Sequence, residues 1–376
     1  MAAYLDYNAT APILPEAREA VVAALDVTGN PSSVHGAGRA ARRIVETARA
    51  SVARLAGSAP SSVIFTSGAT EANNLAIQGT VSQENGVSRV LTGSTEHDSV
   101  LNAWPDSETI PVTGDGVVDL GRLQRMLTDR DWRRCLICVM AVNNETGVVQ
   151  PVEEVIGIAR AAGALVLCDA VQAAGKMDLT SIDADFISLS AHKFGGPRGV
   201  GALIVRGSGE LQPILRGGGQ EKSKRAGTEN VPAIAGFGAA ADAVLSGAAS
   251  PDNARALMAG LEQVLAEKSP ASRIVAKGSD RIGTTATIAL PGVKAETQVM
   301  ALDLDGVMVS AGSACSSGKV AASHVLTAMG LKEGIADCAI RVSLGWASTK
   351  SDVDRFFDAY MKMASRMSDT ENKVQS

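Results

Sequence analysis

Short apolar runs along the chain alternate with segments in which apolar residues recur about every 3.6 positions. The apolar runs predict buried strands, because strands covered on both faces lack a polar alternation. They are SVIFT (62–66), RVLTG (89–93), CLICVMAV (135–142), ALVLCDA (164–170), DFISLS (185–190) and GALIVR (201–206). The periodic segments, which predict helices mostly between these strands, are 16–25, 39–55, 120–127 and 152–162. Strands separated by helices indicate an α/β fold with a mainly parallel sheet.

A second region follows the small-residue segment GAASP (247–251). Its predicted elements are a helix at 252–268, strands at 273–277, 284–290 and 338–345, and helices starting at 295 and 351. This mixture predicts a smaller α+β domain after the large one.

The composition indicates a folded protein and argues against nucleic acid as its partner. Of the 376 residues, 45% are hydrophobic and 20% are charged, which excludes a disordered chain. The 35 basic and 40 acidic side chains give a net charge of −5, so no basic surplus exists for nucleic acid. The sequence predicts no membrane span and no export signal. Five cysteines in such a chain favour reduced thiols and a cytoplasmic location.

Three local features each have a structural interpretation that is at least as common as the functional one. The motif TSGATE (66–71) opens a predicted helix, where backbone N–H groups either receive a cap or bind an anion. Asp169 ends a predicted central strand, and Lys193 follows the end of another. Together they supply a phosphate cradle, a partner for a ring nitrogen and an amine for an aldehyde. The combination predicts a pyridoxal-phosphate site.

At this point the chain resembles a known family, the NifS/IscS-like pyridoxal-phosphate cysteine desulfurases of the fold-type-I aminotransferase superfamily. Ten motifs carry the resemblance in the family's order: YLDYNATAP (4–12), GNPSSVH (29–35), TSGATEANN (66–74), TEHDSV (95–100), VNNETG (142–147), CDAVQ (168–172), SAHKFGGPRG (190–199), RAGTEN (225–230), SAGSACSSG (310–318) and IRVSLG (340–345). The resemblance implies a seven-stranded sheet in a large domain, 16–247. Residues 1–15 and 248–376 would form the small domain that carries the cysteine loop.

The resemblance also implies a set of contacts with pyridoxal 5'-phosphate. Lys193 would hold the cofactor covalently, Asp169 would pair with the protonated ring nitrogen, and Gln172 would hydrogen-bond the ring hydroxyl. The remaining implied contacts are Ala69, Thr70, His97, Asn144, Ser190, His192 and Thr228. Thr228 would reach the phosphate of the neighbouring subunit, which implies a homodimer.

Cys315 is implied to be the nucleophile that takes sulfur from L-cysteine as a persulfide and releases L-alanine. It lies in a glycine- and serine-rich segment without apolar periodicity, whereas structural cysteines lie in apolar patterns. Lys193 would remove the substrate Cα proton, and His97 is a candidate for proton transfer. Arg341, with Asn144, would hold the substrate; its planar fork suits a carboxylate. No permanent metal is expected, although Cys315 could transiently ligate an iron–sulfur cluster.

The other four cysteines are expected to be structural. Cys135 and Cys138 have the spacing of half a zinc site, but they lie in one apolar run. In a strand, a three-residue offset points two side chains to opposite faces. Cys168 and Cys338 also lie in predicted strands.

Alternative functions remain open from the sequence. A selenocysteine lyase would share every cofactor contact, and an aminotransferase would have no use for Cys315. A scaffold that binds sulfur-acceptor or iron–sulfur partners would show little turnover. For a desulfurase, the acceptor could belong to iron–sulfur assembly, to tRNA or cofactor thiolation, or to nitrogenase or other specialised supply.

Overall fold

A computed structural model describes residues 2–81, 86–128, 135–207, 211–312 and 323–374, so Cys315 lies outside the described residues. In chain order, the strands are β1 (Ala3–Tyr4), β2 (Val63–Thr66), β3 (Arg89–Gly93), β4 (Glu108–Ile110), β5 (Cys135–Met140), β6 (Leu165–Asp169), β7 (Phe186–Ser190), β8 (Gly201–Val205), β9 (Arg273–Ile274), β10 (Thr285–Ala289), β11 (Val307–Met308), β12 (Ser310–Ala311) and β13 (Ala339–Ser343). The helices are α1 (Pro15–Leu25), α2 (Gly36–Leu55), α3 (Ala69–Val81), α4 (Asp98–Leu101), α5 (Leu120–Thr128), α6 (Val152–Ala162), α7 (Val231–Leu245), α8 (Asp252–Lys268), α9 (Ala295–Leu304), α10 (His324–Ala328), α11 (Glu333–Ala336) and α12 (Lys350–Val374).

Seven strands form the large sheet, in the order β2-β8-β7-β6-β5-β3-β4. From β7 to β4 all neighbours are parallel, whereas β8 runs antiparallel to both β7 and β2. The prediction of a mainly parallel seven-stranded sheet is therefore confirmed. The strands are buried because helices cover both faces, which explains why their sequences lack polar alternation.

The two faces of the large sheet contact separate hydrophobic clusters. One cluster includes residues of α1, α2, α6 and α7, and the other includes residues of α3. Cys135 belongs to the first cluster and Cys138 to the second, although both lie on β5. The prediction that the two thiols point to opposite faces is therefore confirmed.

A four-stranded sheet in the order β12-β13-β10-β9 forms the centre of the second region. All its neighbouring strands are antiparallel, and residues of α8, α9 and α12 pack in its core. Leu5, near the start of the chain, is fully buried in that same core. This packing supports placing residues 1–15 with residues 248–376, a domain division that stays a prediction.

Two elements differ from the sequence prediction by three residues at one end, whereas the other predicted ends agree to within two residues. The strand predicted at 273–277 ends at Ile274, because Ala276 adopts a left-handed conformation with φ of 53° that a strand does not allow. The helix predicted at 39–55 begins earlier, at Gly36. There the His35 side chain accepts a hydrogen bond from the Gly38 backbone N–H at 3.2 Å and caps the helix.

The N-terminal segment joins both regions. Its strand β1 pairs in parallel with β11, through Ala3 opposite Val307. Farther along, the Asn8 N–H donates to Ser343 Oγ at 3.0 Å, so residues from opposite ends of the chain meet. In the part of the chain that the structure describes, no helix combines the length and the apolarity needed to cross a membrane.

Candidate active site

A cavity of about 580 Å³ opens near the carboxyl ends of β5, β6 and β7. Open α/β sheets bind ligands at this edge. The residues predicted from the sequence that line it are Ala69, Thr70, His97, Asn144, Asp169, Gln172, Ser190, His192, Lys193 and Arg341. Thr228 is exposed and does not line the cavity, and Cys315 lies outside the described residues.

Asp169 is a buried carboxylate at the end of β6. Its Oδ2 accepts a hydrogen bond from Asn73 Nδ2 at 2.9 Å, and its Oδ1 accepts one from the Val171 N–H at 3.0 Å. Among the described residues it forms no ion pair, although it is only 7% exposed. Because a buried carboxylate requires compensation of its charge, this position suits the cationic group of a ligand.

The N-terminus of α3 forms another part of the cavity wall. Ser67, Gly68, Ala69 and Thr70 line the cavity where the helix begins, and a helix N-terminus attracts negative charge. Glu71 in the same turn forms an ion pair with Arg225, with Arg225 Nε and Glu71 Oε1 2.8 Å apart.

The charge of Glu71 is therefore compensated. Burial by itself would raise the pKa of Glu71, but hydrogen bonds from Arg225 and Ser67 lower it. The carboxylate consequently does not oppose an anion at the start of the helix.

Lys193 lies in a short 3₁₀ turn, Ala191–Lys193, directly after β7. Its Nζ donates to the backbone carbonyl of Asn8 at 2.6 Å and to that of Ala9 at 3.0 Å. These carbonyls belong to the N-terminal segment and orient a primary amine at the cavity wall. Asn8 also lines the cavity, and it is absent from the predicted site although it belongs to the motif YLDYNATAP.

Arg341 is a buried guanidinium on β13, only 3% exposed. Its Nη2 pairs with Asp6 Oδ1 at 2.8 Å and its Nη1 donates to the Asn144 carbonyl at 3.2 Å. Its Nε has no hydrogen-bond partner among the described residues. Nη1 and Nη2 each carry a second N–H beyond these contacts, and Arg341 lines the cavity, so its guanidinium can bind a carboxylate there.

His97 stands at the N-cap of α4 and lines the cavity. Its Nδ1 accepts a hydrogen bond from the Ser99 N–H at 3.0 Å. In the neutral imidazole, Nε2 therefore carries the proton, since Nδ1 acts as an acceptor. The ring thus has a defined tautomer beside the cavity, as proton transfer requires.

Burial, together with the nearby charges of Lys193 and Arg198, lowers the pKa of His192 to about 4. His192 is therefore neutral at pH 7. An unfolded histidine takes up its proton near pH 6.5, whereas the folded one resists protonation until about pH 4. The cofactor-free protein should therefore lose stability as the pH falls through this interval. Because the ring is partly exposed, we expect a loss of about 1 to 2 kcal/mol.

Urea unfolding at pH 7 and at pH 4.5 measures this loss. The variant His192→Gln, which keeps a polar partner for Thr10, should show a smaller decrease in the free energy of unfolding than the native chain. Equal decreases in the two proteins would contradict the assignment to His192. The native contact joins His192 Nδ1 and Thr10 Oγ1 at 3.2 Å.

Lys176 is a further buried cation near the site, and it too is absent from the predicted set. Burial lowers its pKa to about 7, with contributions from the charges of Lys193 and Arg341. No local sequence pattern distinguishes it, because a lysine after Gly175 in a turn is usually exposed.

The four cysteines within the described residues are all buried and unpaired with one another. Burial raises the pKa of Cys135 to about 11 and also raises the pKa values of Cys138, Cys168 and Cys338. These thiols remain protonated near neutral pH and are poor nucleophiles. Their burial agrees with the expectation that they are structural, although Cys338 lies in a turn directly before β13 and not in a strand as predicted.

Comparisons with known proteins agree on one group. The family model described as aminotransferase class-V matches residues 3–356. A cysteine desulfurase from Cereibacter sphaeroides is 41% identical over 367 residues, covering 94% of this chain and 94% of that protein. A cysteine desulfurase IscS from Anaeromyxobacter sp. (strain Fw109-5) is 40% identical, covering 93% and 89% of the two chains. The solved structure of a NifS-like protein from Rickettsia africae ESF-5 matches with a TM-score of 0.88 and 34% identity, covering 96% and 99%.

Proposed function

This chain belongs to the class-V aminotransferase family, and we propose that it is a cysteine desulfurase that converts L-cysteine into L-alanine and retains the sulfur on Cys315 as a persulfide. The observation that carries the proposal is that Lys193, Asp169 and Arg341 line one cavity. An amine, a carboxylate without a cation and a buried guanidinium suit cofactor-dependent chemistry on an amino acid.

The residues of the cavity fit pyridoxal 5'-phosphate. Asp169 would compensate the charge of a protonated ring nitrogen, and the backbone at Ala69 and Thr70 would hold the phosphate at the start of α3. Lys193 supplies the amine for the aldehyde. When bound, the cofactor supplies an electron sink that stabilises negative charge at the substrate Cα.

The chain's own residues would bind and orient L-cysteine and move its protons. Arg341 would hold the α-carboxylate through the N–H groups of its guanidinium, since the residue lines the cavity. Lys193 would accept the Cα proton, since its amine stands at the cavity wall. His97 would exchange a proton with the thiol groups through its ring, whose Nδ1 is already engaged by Ser99.

The sulfur step conserves atoms and electrons. The Cys315 thiolate attacks the sulfur of the bound L-cysteine, so that a sulfur–sulfur bond forms while the carbon–sulfur bond breaks. The electron pair of the broken bond passes to the substrate Cβ, which takes up a proton and becomes the methyl group of L-alanine. Two reductant thiols, or an acceptor protein, then remove the outer sulfur of the persulfide.

We further propose that the enzyme is a cytoplasmic homodimer that delivers sulfur to an acceptor such as an iron–sulfur scaffold protein, as the IscS-named relative suggests. Thr228 is available for a contact with a neighbouring subunit, because it is exposed on this chain and does not line this chain's own cavity. Sedimentation of the purified chain as a monomer would exclude this role for Thr228.

The native chain loaded with pyridoxal 5'-phosphate tests the proposed activity. With L-cysteine and dithiothreitol, it should release alanine and sulfide in equal amounts, because each broken carbon–sulfur bond yields one of each. Amino-acid analysis and a colorimetric sulfide assay measure the two products. Bound cofactor without alanine formation would contradict the proposal, and turnover of selenocysteine alone would assign the site to a selenocysteine lyase.

A further inference from the structure

Lys176 is a buried lysine that contacts two amide oxygens instead of a carboxylate. Its Nζ donates to Asn8 Oδ1 and to Gln172 Oε1, each at 2.9 Å. No ion pair to Lys176 is present among the described residues, and its side chain is only 9% exposed. A lysine is expensive to bury without a counter-charge, and an apolar residue would fill the space at lower cost.

The lysine determines which way the Gln172 amide points. An amide oxygen accepts hydrogen bonds and an amide nitrogen donates them, whereas the amino group of a charged lysine only donates. In the structure Gln172 Oε1 faces Lys176, whose Nζ donates to this oxygen and to Asn8 Oδ1. Gln172 Nε2 is thereby directed to the Asn8 carbonyl, to which it donates at 3.0 Å.

One N–H of Gln172 Nε2 remains after this contact. No second acceptor for Nε2 is present among the residues that the structure describes, and Gln172 lines the cavity. A ligand oxygen in the cavity is therefore the natural acceptor for that N–H. If the amide were reversed, it would offer the cavity an acceptor instead of a donor.

Asn8 extends the effect of Lys176 to the amine of Lys193. The Asn8 side chain accepts from Lys176 and donates from Nδ2 to the Asn144 carbonyl and to Thr285 Oγ1, each at 3.0 Å. The Asn8 backbone carbonyl, held by this side chain, accepts from Lys193 Nζ at 2.6 Å. One lysine thus orients the two amides nearest the cavity amine.

We infer that Lys176 is a positioning residue, which holds the Gln172 amide with its N–H group toward the cavity and fixes the Asn8 carbonyl that orients Lys193. The inference deepens the proposed function and rests on it, because the ligand oxygen that receives the Gln172 N–H would be the ring hydroxyl of pyridoxal 5'-phosphate. Lys176 itself does not line that cavity.

The affinity of the cofactor-free chain for pyridoxal 5'-phosphate tests the inference without an activity assay. Lys176→Met keeps the length and removes the donor, so the Gln172 amide can reverse. We expect Kd to rise about tenfold and the absorption spectrum of the bound cofactor to shift, because the ring hydroxyl loses its donor. Lys294→Met, at an exposed lysine, should leave both properties unchanged.

A double-mutant cycle separates positioning from a general loss of stability. Only the effect through Asn8 remains in a Gln172→Ala background, so Lys176→Met should raise Kd there by about threefold or less, compared with tenfold in the native chain. An equal tenfold loss in both backgrounds would overturn the inference, as would an unchanged Kd and spectrum in Lys176→Met. Failure of the native chain to bind pyridoxal 5'-phosphate would instead overturn the proposed function.

A second variant keeps the test decisive if Lys176→Met does not fold. Lys176→Arg preserves a side chain that only donates, and a cavity of about 30 Å³ bordered by Lys176 and Lys193 offers room for the larger group. We expect its Kd to remain within about threefold of the native value. A folded Lys176→Arg variant with a tenfold weaker Kd and a shifted spectrum would contradict positioning by donation.

Discussion

Replacement of Lys193 by alanine should reduce alanine formation from L-cysteine by at least about 10³-fold, because one side chain supplies both the covalent attachment and the base. Lys193 is the one lysine among the described residues that line the cavity, and its Nζ is oriented by the carbonyls of Asn8 and Ala9. The loss should appear in kcat, measured by amino-acid analysis at saturating L-cysteine. Circular dichroism should show the same fold, since the lost hydrogen bonds lie at the edge of the cavity.

Covalent labelling and a control variant provide further tests of the role of Lys193. Borohydride reduction of the native holoenzyme should fix the cofactor to the peptide that contains Lys193, as identified by mass spectrometry, and this label should disappear in Lys193→Ala. The control Lys294→Ala, at an exposed lysine outside the site, should keep native turnover and native labelling. Native turnover in the Lys193→Ala protein would exclude the proposed role of the amine.

Replacement of Cys315 by alanine should abolish both alanine release and the persulfide, while the cofactor spectrum stays native. The thiol would be the acceptor of the substrate sulfur, so its removal leaves the carbon–sulfur bond of L-cysteine without an attacking group. We expect turnover to fall by at least about 10³-fold. Mass spectrometry of the native protein after one turnover should find one additional sulfur atom on the peptide that contains Cys315.

A buried cysteine provides the matched control for Cys315. Cys135 lies inside the large sheet, and burial raises its pKa to about 11, so its thiol is not a nucleophile near neutral pH. Cys135→Ala should lower thermal stability slightly and leave turnover close to native. Undiminished alanine formation in Cys315→Ala would mean that the sulfur leaves by another route.

Much of the fold could be predicted because its determinants are local. The strand β6 and the helix α6 follow from a continuous apolar run and a 3.6-residue period, which the buried sheet and its covering helices require. The end of β9 could not be predicted, because it depends on the left-handed conformation of Ala276. That conformation has no signature in the residue type, since alanine seldom adopts it.

The residues of the site also fall into some that could be predicted from the sequence and some that could not. Asp169 and Lys193 could be predicted because the first ends a recognisable strand and the second follows one, and family motifs supplied the remaining predicted contacts. The roles of Lys176 and Asn8 could not be predicted, because they depend on a hydrogen bond between these two residues, which are 168 positions apart in the sequence. Neither hydrophobic periodicity nor a short motif encodes such a contact.

The N-terminal segment has a consequence for the order in which the site can form. Residues at its start pair with β11, and Asn8 contacts Thr285 and Ser343, which the ribosome adds 277 and 335 residues after Asn8. During synthesis the amine of Lys193 emerges long before the strands that hold its carbonyl partner in place. Contacts so distant in sequence also slow folding. The capacity to bind a ligand should therefore appear only after β10 and β13 have been synthesised and have packed against the N-terminal segment.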